Sequence, residues 1–219
     1  MSQKLECIKK AGKAVATILQ KLRKEIRPGI SGKYLEKEAS RLMDKFQVKS
    51  SSLGYRIGDR KFPSEICVSL NEELTHGIPD DRVLQNGYLV TVDVAVSCEG
   101  YHADAASTFI VGETDDEKKK NLLKVTKDSL YYAIQSIKPG ITTNQDIGRI
   151  IEKYVRTRGY YPIEEYGGHG IGEKLHQAPF IPNGQKFSGS VEVLTEGMFI
   201  CIEPLVQMED NKVIVSPNQ

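Results

Sequence analysis

No run of apolar residues in this chain approaches the roughly 20 needed to cross a bilayer. Neither sign of charge prevails either: 30 lysines and arginines stand against 29 aspartates and glutamates, a formal net charge of +1. No membrane span is therefore expected, and no global field draws the chain to DNA or to a membrane surface. Cysteine is sparse. Cys7, Cys67, Cys98 and Cys201 are scattered and form no CxxC pair, which fits a reduced protein of the cytoplasm. The N-terminal stretch MSQKLECIKKAGKAVATILQKLRKEI is too charged for a signal peptide and reads as an amphipathic helix. Several catalytic motifs are also missing. There is no GxSxG elbow, no GxxxxGK[ST] phosphate loop and no HExxH. GGHGIG, at 167–172, is one residue short of GxGxxG spacing, and its histidine would obstruct a pyrophosphate. Cys67, in EICVSL, reads as a packed strand residue rather than a nucleophile.

What remains is 219 residues, 39% hydrophobic, enough for one substantial domain over 1–219. Leu5, Ile8, Val15, Ile18, Leu19, Leu22 and Ile26 form a helical stripe, stopped by Pro28-Gly29. Ser31 opens a second helix, with Leu35, Ala39, Leu42 and Phe46 inward. Strands are expected at 65–70, 88–96 and 101–111, then a solvated helix start at 115–120 and a helix over Leu122–Ile137. A fourth helix, Asp146–Tyr160, precedes strands near 161–166, 191–194 and 198–206.

The second half echoes the first. EIRPGISGKYLEKEASRLMDKF (25–46) resembles SIKPGITTNQDIGRIIEKYVRTRGY (136–160), with Pro28-Gly29-Ile30 matching Pro139-Gly140-Ile141. LQNGYLVTVDVAV (84–96) resembles LTEGMFICIEPLV (194–206), and that alignment sets Asp93 against Glu203. Two blocks at nearly one offset imply an internal duplication, with a carboxylate on an apolar strand in each half.

A third acid, Asp104, lies on the strand after Asp93. With Cys98 and Glu99 as loop residues, Asp93 and Asp104 pair directly across a hairpin. Like charges opposite one another destabilise a sheet, so a cation is needed. The chain has only four histidines, and His169 is flanked by glycines in EYGGHGIG; His176 follows in KLHQAP, and His76 stands in ELTHGIP. Carboxylates with an imidazole suit a divalent transition metal of the Mn, Fe, Co or Zn kind. A carboxylate-rich site bridging two ions holds them roughly 3.5–4 Å apart.

NEELTHGIPDD, VTVDVAV, GYHADAASTFIVG, EEYGGHGIG, KLHQAP and GMFICIEPLV together resemble type I methionine aminopeptidase, over the chain from its first helix to about Val206. The resemblance implies an α/β (α+β) fold of the pita-bread kind: a pseudo-twofold repeat of helices packed on a curved antiparallel sheet. It implies metal-dependent removal of the N-terminal methionine from newly made proteins whose second residue is small. Two divalent ions (Co, Mn, Fe, Zn or Ni) would be held by residues matching Asp93, Asp104, His169 and Glu203. His176 would stabilise the developing oxyanion and Glu203 would act as general base as well as ligand. His76 would bond the scissile amide, and His102 would be structural. Tyr55, Phe62, Cys67, Tyr166 and Leu175 are the pocket candidates. The expected partner is a peptide or nascent-chain N-terminus near the ribosome exit, met by a cytoplasmic monomer with no DNA or membrane partner.

Two departures from that family stand out. Its bridging glutamate lies some 30 residues past the Ile-Glu-Pro motif, whereas Gln219 comes 16 residues after Glu203. The expectation is a chain shortened at its C-terminus, lacking the final strand and binding one ion tightly near His169; the alternative is that Glu209 replaces the lost ligand. The absence of tryptophan agrees with shortening, because the family often has one in that segment. SSLGYRIGDRKFPSEICVS also carries Arg56 where a histidine is common, with extra residues before Phe62-Pro63. Two further readings stay open: a prolidase or aminopeptidase P relative, and a catalytically silent binding module of the same fold.

Overall fold

The computed structural model describes residues 3–210 and 212–215. They fall into two compact units, the first running to Asp115 with Gly172–Leu175 added, the second holding Asp116–Ile171 and His176 onward.

The first unit opens with α1 (Gln3–Glu25), whose Cys7, Ala11, Ala14, Val15, Ile18 and Leu22 are buried. That spacing of three and four puts them on one stripe of the helix. The Ser31 hydroxyl caps α2 (Gly32–Phe46) by accepting from the Tyr34 N–H, and Gln47 ends it in the left-handed region. Short strands β1 (Lys49–Ser50), β2 (Arg56–Ile57), β3 (Arg60–Lys61) and β4 (Cys67–Leu70) precede the long hairpin of β5 (Leu89–Cys98) and β6 (Tyr101–Ile110). One antiparallel sheet runs β1-β5-β4, with β6 also on β5. Along β5, Val90, Val92, Val94 and Val96 are completely buried in the core with α1 and α2, and Asp93 takes the opposite face.

The second unit packs α3 (Glu117–Ser136) against α4 (Asn144–Arg156). Asp116 caps α3 by accepting from Lys118 and Lys119, which explains why the charge run begins the helix. Thr143 and Asp146 form a reciprocal capping box on α4. β7 (Tyr161–Pro162) pairs with β10 (Val206–Gln207), and β8 (Gly167–Gly170) pairs with β9 (Gln177–Pro182). Ile147, Ile151, Val155 and Ile181 form the core here.

The expected duplication is visible in the hydrogen bonding. Gly29 donates to the Leu84 carbonyl and Leu84 to that of Ile30. In the other half Gly140 donates to Leu194 and Leu194 to Thr142. Leu84 and Leu194 are both buried, and Ser31–Val83 and Thr143–Val193 are matching bridges.

The two halves differ where strands were expected late in the chain. The 191–194 strand reduces to a bridge at Val193, and the 198–206 strand to a bridge at Ile200 plus β10. Strand 161–166 stops at Pro162, because the chain leaves its ladder with β10 there and takes a new partner, β9, at Gly167. Glycine-rich β8 and proline-containing β9 lack the β-branched alternation that marks a strand in sequence. Among the described residues, no helix is long and apolar enough to cross a membrane.

Candidate metal centre

The hairpin register corrects one expectation. Asp93 lies opposite Ala106, and Asp104 opposite Ala95, so the two aspartates are diagonal neighbours rather than a direct pair. The two-residue loop is Glu99-Gly100, with φ of 49° and 83°. Positive φ at both positions is the twist-matching geometry of tight hairpins, and Gly100 adopts it freely where Cys98 would resist. A two-residue shift preserves the face, so Asp93 and Asp104 still project together from the side away from the helices.

Cys67 is the β4 partner of Asp93 and shares that face. Burial pushes its thiol pKa well up, and the carboxylates of Asp93 and then Asp104 add to the rise. A thiol held neutral this firmly packs rather than attacks. His76 precedes Gly77, whose N–H donates to Ser69 Oγ at 3.1 Å and whose carbonyl accepts from Val68 N–H at 2.9 Å. A Cβ on Gly77 would overlap the Val68 carbonyl, so only glycine lets the chain lie on β4 and present His76 beside it. His76 is exposed. Desolvation lowers its pKa, with Asp104 pulling it back up. His102, on the same face as Asp104, has Nδ1 2.8 Å from Ser51 Oγ. Its pKa is also lowered by burial and opposed by Asp104.

Tyr55 and Phe62 bracket the small β2–β3 hairpin, with Phe62 N–H donating to Tyr55 O at 2.8 Å. The extra residues in this stretch therefore form a hairpin of their own, and Arg56 on it is exposed.

In the second unit, His169 is buried on β8. Its Nδ1 lies 2.9 Å from the Gly170 carbonyl and its Nε2 lies 3.2 Å from Glu203 Oε1. A carbonyl only accepts, so Nδ1 donates to it, which fixes the ring with Nε2 facing the carboxylate. An imidazole with its outer nitrogen tied to a carbonyl, next to a carboxylate, is a donor set that a divalent transition metal fits.

The backbone sets this pair. Cys201 N–H donates to the His169 carbonyl at 2.7 Å, and Ile171 N–H to Phe199 O at 3.0 Å. A Cβ on Gly168 would overlap the Cys201 carbonyl, so glycine is what lets the 199–203 run lie against β8. Asn183, fully buried, donates through Nδ2 to the carbonyls of Glu203 at 2.8 Å and Tyr166 at 3.2 Å. His176 is exposed, its ring edge-on to His169 with centroids 4.3 Å apart. Leu175 is buried, and Tyr166 half-buried. Glu209 is exposed.

Sequence reasoning missed two residues here. The Cys201 thiol, the His169 imidazole and the Glu203 carboxylate each offer a ligand atom within 4.8 Å of the others. The signal for Cys201 was its place two residues before Glu203, which puts both side chains on one side of extended chain. Asn183 gave no signal, because its role lies in two carbonyls distant in sequence.

The model of metallopeptidase family M24 matches residues 6–216. Methionine aminopeptidase 1 of Bacillus subtilis is 41% identical over 205 residues, covering 93% of this chain and 79% of the relative. A crystal structure of methionine aminopeptidase from Thermotoga maritima is 40% identical, with a TM-score of 0.92, covering 100% of this chain and 85% of that one. Prolidase from Pyrococcus furiosus shares the fold, with a TM-score of 0.77 at 24% identity, over 93% of this chain and 56% of that one.

Proposed function

The chain belongs to metallopeptidase family M24, and from that premise we propose how its side chains carry out the family's chemistry on an N-terminal methionine. The fold is the pita-bread α/β arrangement of helices on antiparallel sheet, and the activity is metal-dependent hydrolysis that removes that methionine. Likeness to prolidase is confined to the fold. The silent-module reading, which the departure at the C-terminus suggested, gains no support from the relatives.

Asp93, Asp104, His169 and Glu203 are the proposed metal ligands. Supporting this are the shared face of the two aspartates and the 3.2 Å approach of His169 Nε2 to Glu203. That approach is the single observation that carries the reading, because it sets an imidazole nitrogen beside a carboxylate oxygen, a donor pair that a divalent transition metal would fit. Bound there, divalent ions supply Lewis acidity toward the scissile carbonyl and a water acidic enough to ionise near neutral pH. Imidazole nitrogen favours Fe, Co and Zn over harder ions, so the tightest binding is through His169.

Glu203, half-buried with its backbone held by Asn183, takes a proton from the attacking water and delivers it to the leaving amine. His176, exposed yet packed edge-on to His169, donates to the oxyanion. His76, presented beside β4 by Gly77, donates to or accepts from the scissile amide. Tyr55, Phe62, Cys67 and Tyr166 line the methionine side-chain pocket, and a small second residue is preferred. The four free thiols support a reducing cytoplasm, where a monomer meets nascent N-termini at the ribosome exit.

The test is release of methionine from a Met-Ala-Ser peptide by protein stripped with chelator, then resupplied with Mn(II) or Co(II). Activity should vanish on stripping, return with metal, and be absent from Asp104→Ala under all conditions. Metal-independent release, or full activity in that variant, would refute the metal reading.

A further inference from the structure

We propose that Cys201 is an additional metal ligand, making the His169–Glu203 position a mixed nitrogen, oxygen and sulfur site that selects thiophilic ions. The inference rests on the reading of His169 and Glu203 as metal ligands and extends it.

Three observations converge on it. The thiol, the imidazole and the carboxylate each present a ligand atom within 4.8 Å of both others, close enough for one ion to contact all three after small side-chain adjustments. The Cys201 backbone is fixed by its 2.7 Å bond to the His169 carbonyl and by the glycine contact at Gly168, so this closeness is built into the fold rather than produced by a loose loop. The internal repeat supplies the third. Alignment of Asp93 with Glu203 sets Thr91 against Cys201, and in the first half Thr91 Oγ1 is satisfied by Thr108 Oγ1 at 2.8 Å. A hydroxyl engaged across its ladder is thus replaced in the second half by a thiol beside an imidazole and a carboxylate.

Coordination transfers the thiol proton to solvent and forms a metal–sulfur bond, with no change of oxidation state. Thiolate ligation shifts preference toward Zn(II), Co(II) and Cd(II) and away from Mn(II) and Mg(II), which favour oxygen. The site would then hold zinc-like ions more firmly than nitrogen and oxygen donors alone allow.

The test is titration of the protein with Co(II) under anaerobic conditions, followed by absorption. Wild type should show visible ligand-field bands together with a near-ultraviolet sulfur-to-cobalt charge-transfer band. Cys201→Ser and Cys201→Thr should keep the ligand-field bands and lose the charge-transfer band. Their affinity for Cd(II) should fall by roughly 10–100-fold, the scale seen when groups around metal sites are removed, while Mn(II) affinity moves much less. Cys7→Ser should leave every band in place. Co(II) binding without a charge-transfer band in wild type, or a band that survives in both Cys201 variants, would overturn the proposal and leave His169 and Glu203 as ligands. No Co(II) binding at all would overturn the metal reading itself.

Discussion

Replacing Gly168 with alanine probes whether the candidate centre depends on close backbone approach rather than on ligand identity alone. A Cβ at that position overlaps the Cys201 carbonyl oxygen and stands 2.7 Å from the carbonyl carbon and 3.1 Å from Ile202 Cα. Ordinary contact begins near 3.4 Å, so relieving the carbonyl carbon alone takes about 0.7 Å of retreat by the 201–202 backbone, and the closer oxygen takes more. Backbone cannot swing aside as a side-chain end does. Its bond from Cys201 N–H to the His169 carbonyl, now 2.7 Å, would stretch past the useful range. Overpacking of this kind costs about 1–3 kcal/mol, and the weakened hydrogen bond about 1 more. Glu203, two residues on, moves with the segment away from His169 Nε2. A misplacement approaching 1 Å lowers turnover by roughly 10²-fold. Gly168→Ala should therefore lower the melting temperature, weaken Co(II) binding and cut methionine release together. Gly12→Ala is the control: it lies inside α1 with open space around it, and should be neutral or stabilise by up to about 1 kcal/mol. A Gly168→Ala protein with wild-type melting, metal affinity and turnover would refute the argument that this glycine places Glu203.

The two histidines of the second unit should separate cleanly. His169→Ala should lose metal, measured by atomic absorption after dialysis, whereas His176→Ala should keep metal content and lose roughly 10²–10³ in turnover; equal metal loss in both would undo the division of roles. The α4 cap gives a pH test. Hydrogen bonds from Thr143 hold the Asp146 carboxyl below its usual pKa, so its folded value lies under its unfolded one. The stabilisation is then complete above about pH 4 and is lost as pH falls through the folded value. Asp146→Ala should cost about 1 kcal/mol at neutral pH, measured by urea unfolding, and the gap to wild type should close in strong acid. A gap that widens on acidification would mean the cap is not the source.

Much of this molecule was written locally. The helices followed from apolar residues three and four apart, two of their starts from Ser31 and the 115–120 charge run, and the break within each helix pair from Pro-Gly. The fourth helix, expected over 146–160, instead runs from Asn144 to Arg156 because Thr143 caps it. The acids and histidines that matter stood out because each interrupts an apolar or glycine-rich run, and the repeat tied Asp93 to Glu203 before any geometry was known. Local chemistry could not set register. A tight turn at Glu99-Gly100 rather than Cys98-Glu99 moved Asp104 by two residues along the ladder, a choice made by backbone twist. Strands β8 and β9 were illegible because glycine and proline carry no alternation, and they exist because they pair with each other and the 199–201 run supplies further backbone hydrogen-bond partners to β8. Cys201 and Asn183 gained their meaning the same way. A thiol is ordinary until an imidazole and a carboxylate fold to within reach of it. An amide is ordinary until it joins two carbonyls that the sequence holds 37 residues apart, Tyr166 and Glu203. Side-chain character decides which elements form, whereas proximity across long loops is a property of the packed chain alone.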